Sequence, residues 1–174
     1  TSKALDDRAC VTAILRALSL LPKDHKTRIT VQFSVQEETG QAGAQAGAFQ
    51  SQATEAIALD VSFAFTPDSA KHKCGQLSKG PMIGYAPVLS YPIFTRLCTL
   101  AKEAGIPYQT EIMGADSGTN ADCIAVSKAG CPTGLISIPQ RYMHTPVEVI
   151  DLEDLENTAR LLALYLTKEE QENA

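Results

Sequence analysis

The stretch Ala56-Ile57-Ala58-Leu59-Asp60-Val61 is apolar at every position but one. It lacks the polar alternation of a strand with one wet face, so it predicts a central strand covered on both faces, with helices as the outer layers. Helix patterns are present on either side of it. Ala9, Ala13, Ile14, Ala17, Leu18 and Leu21 form an apolar stripe on a helix from Asp7 to about Leu21, closed by Pro22. Ala42 to about Gln52 is a helix of small residues able to pack closely on a sheet. Pro92 to Ala104 is stopped by Gly105 and Pro107, and Asn120 to about Lys128 follows. The last helix starts at Asp151 as N-cap, with Glu153 and Asp154 where the helix dipole favours acids. Further strands are expected at Thr27 to Val35, where Ile29, Val31, Phe33 and Val35 alternate, at Tyr108 to Met113 and at Pro132 to Ile138. Lys71 to Pro87 reads as a loop around the short segment Pro81 to Tyr85, and Lys168 to Ala174 as a fraying tail. This alternation predicts an α/β fold, a layered mixed β-sheet flanked by helices in one domain over 1–174, with ligands at the strand ends.

Charge and composition narrow the partners. A net charge of -5 and a pI near 5.2 leave no clustered basic face for nucleic acid. No apolar stretch approaches the roughly 20 residues needed to span a bilayer, and the first residues lack the apolar core of a signal peptide, so a soluble cytoplasmic protein with no membrane partner is expected. The five cysteines, Cys10, Cys74, Cys98, Cys123 and Cys131, are odd in number and form no C-x-x-C, which predicts reduced thiols. Cys98 and Cys123 read as small buried hydrophobes, while Cys10 lies close to Asp6 in the chain.

The chemistry concentrates where the run ending at Val35 breaks into Glu37-Glu38 and then Thr39-Gly40-Gln41-Ala42-Gly43. Carboxylates are costly to bury unless a metal, a cation or hydrogen bonds compensate them. Asp6, Asp60 and His144 add two acids and an imidazole at other strand or loop ends. A hydrolytic two-metal centre needs a bridging carboxylate, terminal carboxylate and imidazole ligands, and a separate base for the water, around cations about 3.5 to 4 Å apart. Asp6, Glu38, Asp60 and His144 have that ligand chemistry, which suits zinc, cobalt or manganese, and Glu37 is left as the base. Each has a structural alternative. Asp6 and Asp7 can cap a helix, Glu37 and Glu38 can form a solvated turn, and His144 can be a surface histidine. Asp60, which closes an apolar strand, fits a solvated role poorly. His25 and His72 read as solvated.

Four segments occur in a recognisable order: Lys3-Ala4-Leu5-Asp6-Asp7-Arg8, Val35-Gln36-Glu37-Glu38-Thr39-Gly40, Ala58-Leu59-Asp60-Val61, and Ser137 to Val149, which contains Arg141-Tyr142-Met143-His144-Thr145-Pro146-Val147-Glu148. With them the chain resembles the tetrahedral aminopeptidase family, dinuclear metallopeptidases that include glutamyl aminopeptidases and proteins called cellulase M. The resemblance implies that Asp6 bridges two divalent ions, with the Asp6–Asp7 peptide bond cis. It implies that Glu38 and His144 hold one ion, that Asp60 holds the other, and that Glu37 is the general base. The implied substrate is a peptide with a free N-terminus, cut by a metal-activated water to release its first residue, in a homo-oligomeric enzyme.

The same resemblance implies two departures. The family's chains are longer and carry, before the Asp-Asp-Arg segment, a strand with a His-x-Asp motif and then an inserted oligomerisation domain. This chain starts without Met almost at Asp6, which predicts an N-terminally incomplete catalytic domain. It would have one complete site (Asp6, Glu38, His144), an Asp60 site one ligand short, and an exposed sheet edge that favours association. Within Gly114-Ala115-Asp116-Ser117-Gly118-Thr119-Asn120-Ala121, Asn120 replaces the acid of a Gly-Thr-Asp-Ala motif, which predicts either altered handling of the substrate amine or simply a helix start capped by Thr119. Lys79, Tyr85 and Arg141 are candidates for the specificity pocket. The competing expectations are a metal-binding or assembly fragment without turnover, and a related dinuclear deacylase or carboxypeptidase.

Overall fold

Two strands form the spine of the computed structural model, which describes residues 1–167. β1 (Ala56–Phe63) and β4 (Thr133–Arg141) run parallel, with Leu59 opposite Ile136 and Asp60 opposite Ser137. β2 (Met82–Tyr85) lies antiparallel to β4, and β3 (Gln109–Ile112) lies parallel to β2. β5 (Val149–Ile150) folds back on the end of β4, completing a five-stranded sheet of order β1-β4-β2-β3 with β5 paired to β4.

Strand alternation divides the sheet into two chemically different faces. Val61 and Ile138 pack on α1 (Leu5–Leu20) and α5 (Leu152–Thr167), and Ile83 and Ile136 pack on α3 (Tyr91–Glu103) and α5. Ala9, Ala13 and Ala17 supply the buried stripe of α1 in that layer, as their helical spacing predicts. On the opposite face Ala58 and Leu135 pack against Ala121 of α4 (Asn120–Ala125). Alternation then places Asp60, Ser62 and Ser137 on this second face, where α2 (Ala42–Gln50) packs against α4.

Several expectations are corrected. The apolar run Ala56–Val61 predicts a central strand, yet β1 pairs only with β4 among the described residues, and β4 is the strand with neighbours on both sides. An all-apolar pattern reports burial rather than pairing, and β1 is buried at Ala58, Asp60 and Val61 but only half-buried at Ile57 and Leu59; the pattern is silent about whether both edges are paired. Thr27 to Val35, expected as a strand, forms none. A ladder needs a partner backbone, and this run is separated from β1 by a groove of about 1370 Å³ lined by both segments. Val31, Phe33 and Val35 are correspondingly 38%, 51% and 67% exposed. Within the expected loop Lys71 to Pro87, the short segment set apart there forms a sheet strand over Met82–Tyr85. β4 runs on to Arg141, beyond the expected end at Ile138, and α4 stops at Ala125, short of Lys128. No helix among the described residues is long and apolar enough to cross a membrane. The tail from Lys168 to Ala174 lies outside the described residues.

Candidate metal centre

Three backbone irregularities deliver the acids and the imidazole. α1 starts with Asp6 and Asp7 at non-helical torsions, joined by a cis peptide bond as the resemblance implied, and Asp7 caps the regular helix that follows, its Oδ1 accepting the Cys10 amide at 3.1 Å. Glu37 and Glu38 sit on a 3-10 turn, Glu37–Thr39, entered through Gln36 at φ 62° and left through Gly40 at φ 112°. His144 lies in the loop between β4 and β5 at φ 61°. The turn is pressed against α2 at Gly43, whose amide donates to the Val35 carbonyl at 3.1 Å. A Cβ there would stand 2.5 Å from the backbone N and O of Val35, so only glycine permits this approach.

These elements bring Asp6, Glu38 and His144 together. His144 Nε2 is 3.2 Å from Asp6 Oδ2 and 3.3 Å from Glu38 Oε2. One ligand atom from each of the three lies within 4.8 Å of the others. Glu37 shares the turn but stands outside the trio. Asp60 does not converge with it either: its Oδ1 accepts from the Val61 amide at 2.8 Å, and Asp7 is the neighbouring acid whose charge it feels most.

Carboxyl groups crowd together here, and burial and mutual repulsion disfavour their ionised forms. Burial, then the charge of Glu38, pushes Asp6 up to about 6. Burial also lifts Asp7 to about 7, and burial followed by the charge of Asp7 lifts Asp60 to about 8. Glu37 is raised by burial and then by Glu38 and Asp6. Groups that resist ionisation side by side are relieved by a cation, and one imidazole nitrogen with carboxylate oxygens is a donor set for a divalent metal. The residues present therefore fit such an ion.

Other residues take different places from those their sequence suggested. Cys10 donates its amide to Asp7 Oδ1 at 3.1 Å, and burial pushes its thiol far up, which makes it a core group and not a nucleophile. The Thr119 hydroxyl caps α4 by accepting from the Ala121 amide, while Asn120 Nδ2 donates to Ser34 Oγ at 3.0 Å. Arg141 Nε is committed to the Phe65 carbonyl at 2.7 Å, and Tyr85 packs against the rings of Tyr91 and Phe94. Two carboxylates that sequence reasoning did not single out are prominent. Glu111 lies half-buried on β3, where the hydroxyls of Ser137 (3.0 Å) and Ser62 donate to it, with its pKa raised by desolvation. Glu148 reaches the backbone beneath both Asp6 and His144. Nothing in the alternation around either residue distinguishes it from a solvated acid; only the fold does.

Comparison with known proteins follows the same line. The profile of the M42 glutamyl aminopeptidase family matches residues 1–161. Lysyl aminopeptidase of Pyrococcus furiosus is 36% identical over 162 residues, a match that covers 93% of this chain and 46% of the relative. The solved structure of aminopeptidase APDkam598 from the archaeon Desulfurococcus kamchatkensis superposes with a TM-score of 0.90 at 37% identity, over 97% of this chain and 49% of the other. The TET1 peptidase of Pyrococcus horikoshii, described as assembling into a tetrahedron or a large octahedral shell, superposes at 0.77 with 28% identity over 97% of this chain and 50% of its own. The chain thus spans about half the length of the relatives it matches.

Proposed function

Because this chain belongs to the M42 glutamyl aminopeptidase family, we propose that it carries the metal-binding and general-base residues of a metal-dependent aminopeptidase that removes N-terminal residues from peptides. The observation that supports this reading most directly is the convergence of Asp6, Glu38 and His144, with Glu37 on the same turn as Glu38. Asp6 and Glu38 offer carboxylate oxygens and His144 offers Nε2. Asp60, apart from the trio, offers a carboxylate towards a second ion. A bound divalent cation such as zinc, cobalt or manganese supplies a Lewis acid for the peptide carbonyl and acidifies water near neutral pH. Glu37 takes the proton of the attacking water and hands it to the departing amine. Its raised pKa makes it a stronger base than a solvated carboxylate, which suits that task. The reading includes self-association, supported by the assembly described for TET1 and by the exposed Val31, Phe33 and Val35.

The test separates base from ligand. Metal per chain is measured by elemental analysis after dialysis against limiting zinc or cobalt, and peptide hydrolysis is followed in every form that cleaves. Glu37→Gln keeps the metal and loses hydrolysis by roughly two to four orders of magnitude; Glu38→Ala and His144→Ala lose the metal. Equal metal loss in the Glu37 and Glu38 variants would overturn the division of roles, and no uptake by the unaltered chain would overturn the site.

A further inference from the structure

Glu148 follows His144 by one turn of loop and is only 3% exposed. Its Oε2 accepts the backbone N–H of Leu5 at 2.6 Å and of Asp6 at 3.2 Å, and its Oε1 accepts the backbone N–H of His144 at 3.3 Å. Its own backbone is paired as well: its amide donates to the Ser2 carbonyl at 2.8 Å, and its carbonyl accepts from the Ser2 amide at 3.0 Å. A single buried carboxylate therefore ties the segment that carries Asp6 to the turn that carries His144, two pieces of chain at opposite ends of the sequence.

Both tied segments hold non-glycine residues in the left-handed region: Ala4 at φ 55° on one side, Tyr142 and His144 at φ 61° on the other. Such torsions persist only where surrounding contacts over-determine them. Bonds from amides to an ionised carboxylate are among the stronger ones available, and an amide stripped of its acceptor in a buried place drives the backbone to rearrange. Rearrangement here would part Asp6 Oδ2 and His144 Nε2, now 3.2 Å apart.

We propose that Glu148 is a positioning residue for the metal centre: through the Leu5, Asp6 and His144 amides it sets the separation of two ligands without itself touching the ion. This rests on the metal-site reading above. Groups that orient ligands in this way characteristically change metal affinity about 10- to 100-fold when removed. A glutamine at 148 keeps one acceptor oxygen and can serve only one side of the clamp; an alanine serves neither.

The experiment titrates the full chain and its Glu148→Gln and Glu148→Ala variants with cobalt. In parallel, thermal unfolding in chelator and backbone amide exchange at Leu5, Asp6 and His144 are recorded. The expected result is a loss of cobalt affinity of about 10- to 100-fold for Glu148→Ala and a smaller loss for Glu148→Gln, with faster exchange at those amides and unchanged exchange in α5. A lowered unfolding midpoint with wild-type cobalt affinity would overturn the proposal, because it would make Glu148 structural only. If Glu148→Ala does not fold, Glu148→Gln decides alone by the same criterion. If the unaltered chain takes up no cobalt, the metal-site reading falls; wild-type amide protection in Glu148→Gln would instead remove the clamp.

Discussion

Asp154 is buried, and its two carboxylate oxygens accept the backbone amides of Ser78 at 2.8 Å and Gly80 at 2.7 Å, anchoring the turn that feeds β2. The turn has little freedom to compensate, since Gly80 is at φ 82° and a Cβ on it would lie 1.8 Å from the Pro107 carbonyl oxygen. Asp154→Ala strips both amides of their acceptor. An unsatisfied buried donor costs about 1 to 3 kcal/mol, with Gly80 near the upper end and the less buried Ser78 near the lower, so the variant should lose about 3 to 4 kcal/mol. With an unfolding entropy of about 2.1 cal/mol/K per residue, that lowers Tm by about 8 to 11 °C in a chain of this length. Asp154→Asn retains one acceptor oxygen and should fall roughly halfway. The assay is calorimetric or circular-dichroism melting of the three proteins at one pH in chelator. An alanine variant melting within about 2 °C of the unaltered protein would refute the anchoring argument, because the amides would have to find acceptors the structure does not provide.

Two further outcomes are expected. Asp60, Asp7 and Asp6 are raised to about 8, 7 and 6 from the ordinary 3.8. The folded, chelated protein therefore holds protons that the unfolded chain has released, and their stabilising contribution, complete below pH 4 or so, is lost as pH rises through about 6 to 8. Melting in chelator should show Tm falling across that window and zinc restoring it; a rising Tm would contradict the crowding of acids. Gly43→Ala should push the segment around Val35 outward, lowering stability by about 1 to 3 kcal/mol and weakening cobalt binding through displacement of the Glu37–Thr39 turn. Unchanged melting and cobalt affinity would show that the close approach is dispensable.

Much was legible in the chain itself, because local patterns report what each segment buries. The stripe Ala9, Ala13, Ala17 reports one helix face packed on a sheet, and the wholly buried run from Thr133 to Ile138 reports a strand covered on both faces. Asp151 does cap α5, accepting from the Glu153 amide at 2.8 Å. Asp60 was legible as a charge closing an apolar strand, where a solvated role is unnatural, and Glu37 and Glu38 as a carboxylate pair ending an apolar run, with a solvated turn as the alternative.

Pairing, distance and second contacts were not legible, because they depend on residues far apart in sequence. Alternation in Thr27 to Val35 describes one strand's faces, but a strand exists only where a partner backbone lies alongside, and β1 lies across a groove. The convergence of Asp6, Glu38 and His144 follows from the irregular entry to α1, the 3-10 turn Glu37–Thr39 and the loop between β4 and β5, three segments remote in sequence. Asp154 reads as a first-turn acid until the fold buries it under Ser78 and Gly80, and Glu148 reads as one more loop acid until the fold closes Leu5, Asp6 and His144 around it. Sequence by itself determined which side chains must be hidden and which charges demand compensation; tertiary structure alone decided what compensates them, since a hydrogen bond or a ligand set is a matter of a few ångströms between segments that no local pattern relates.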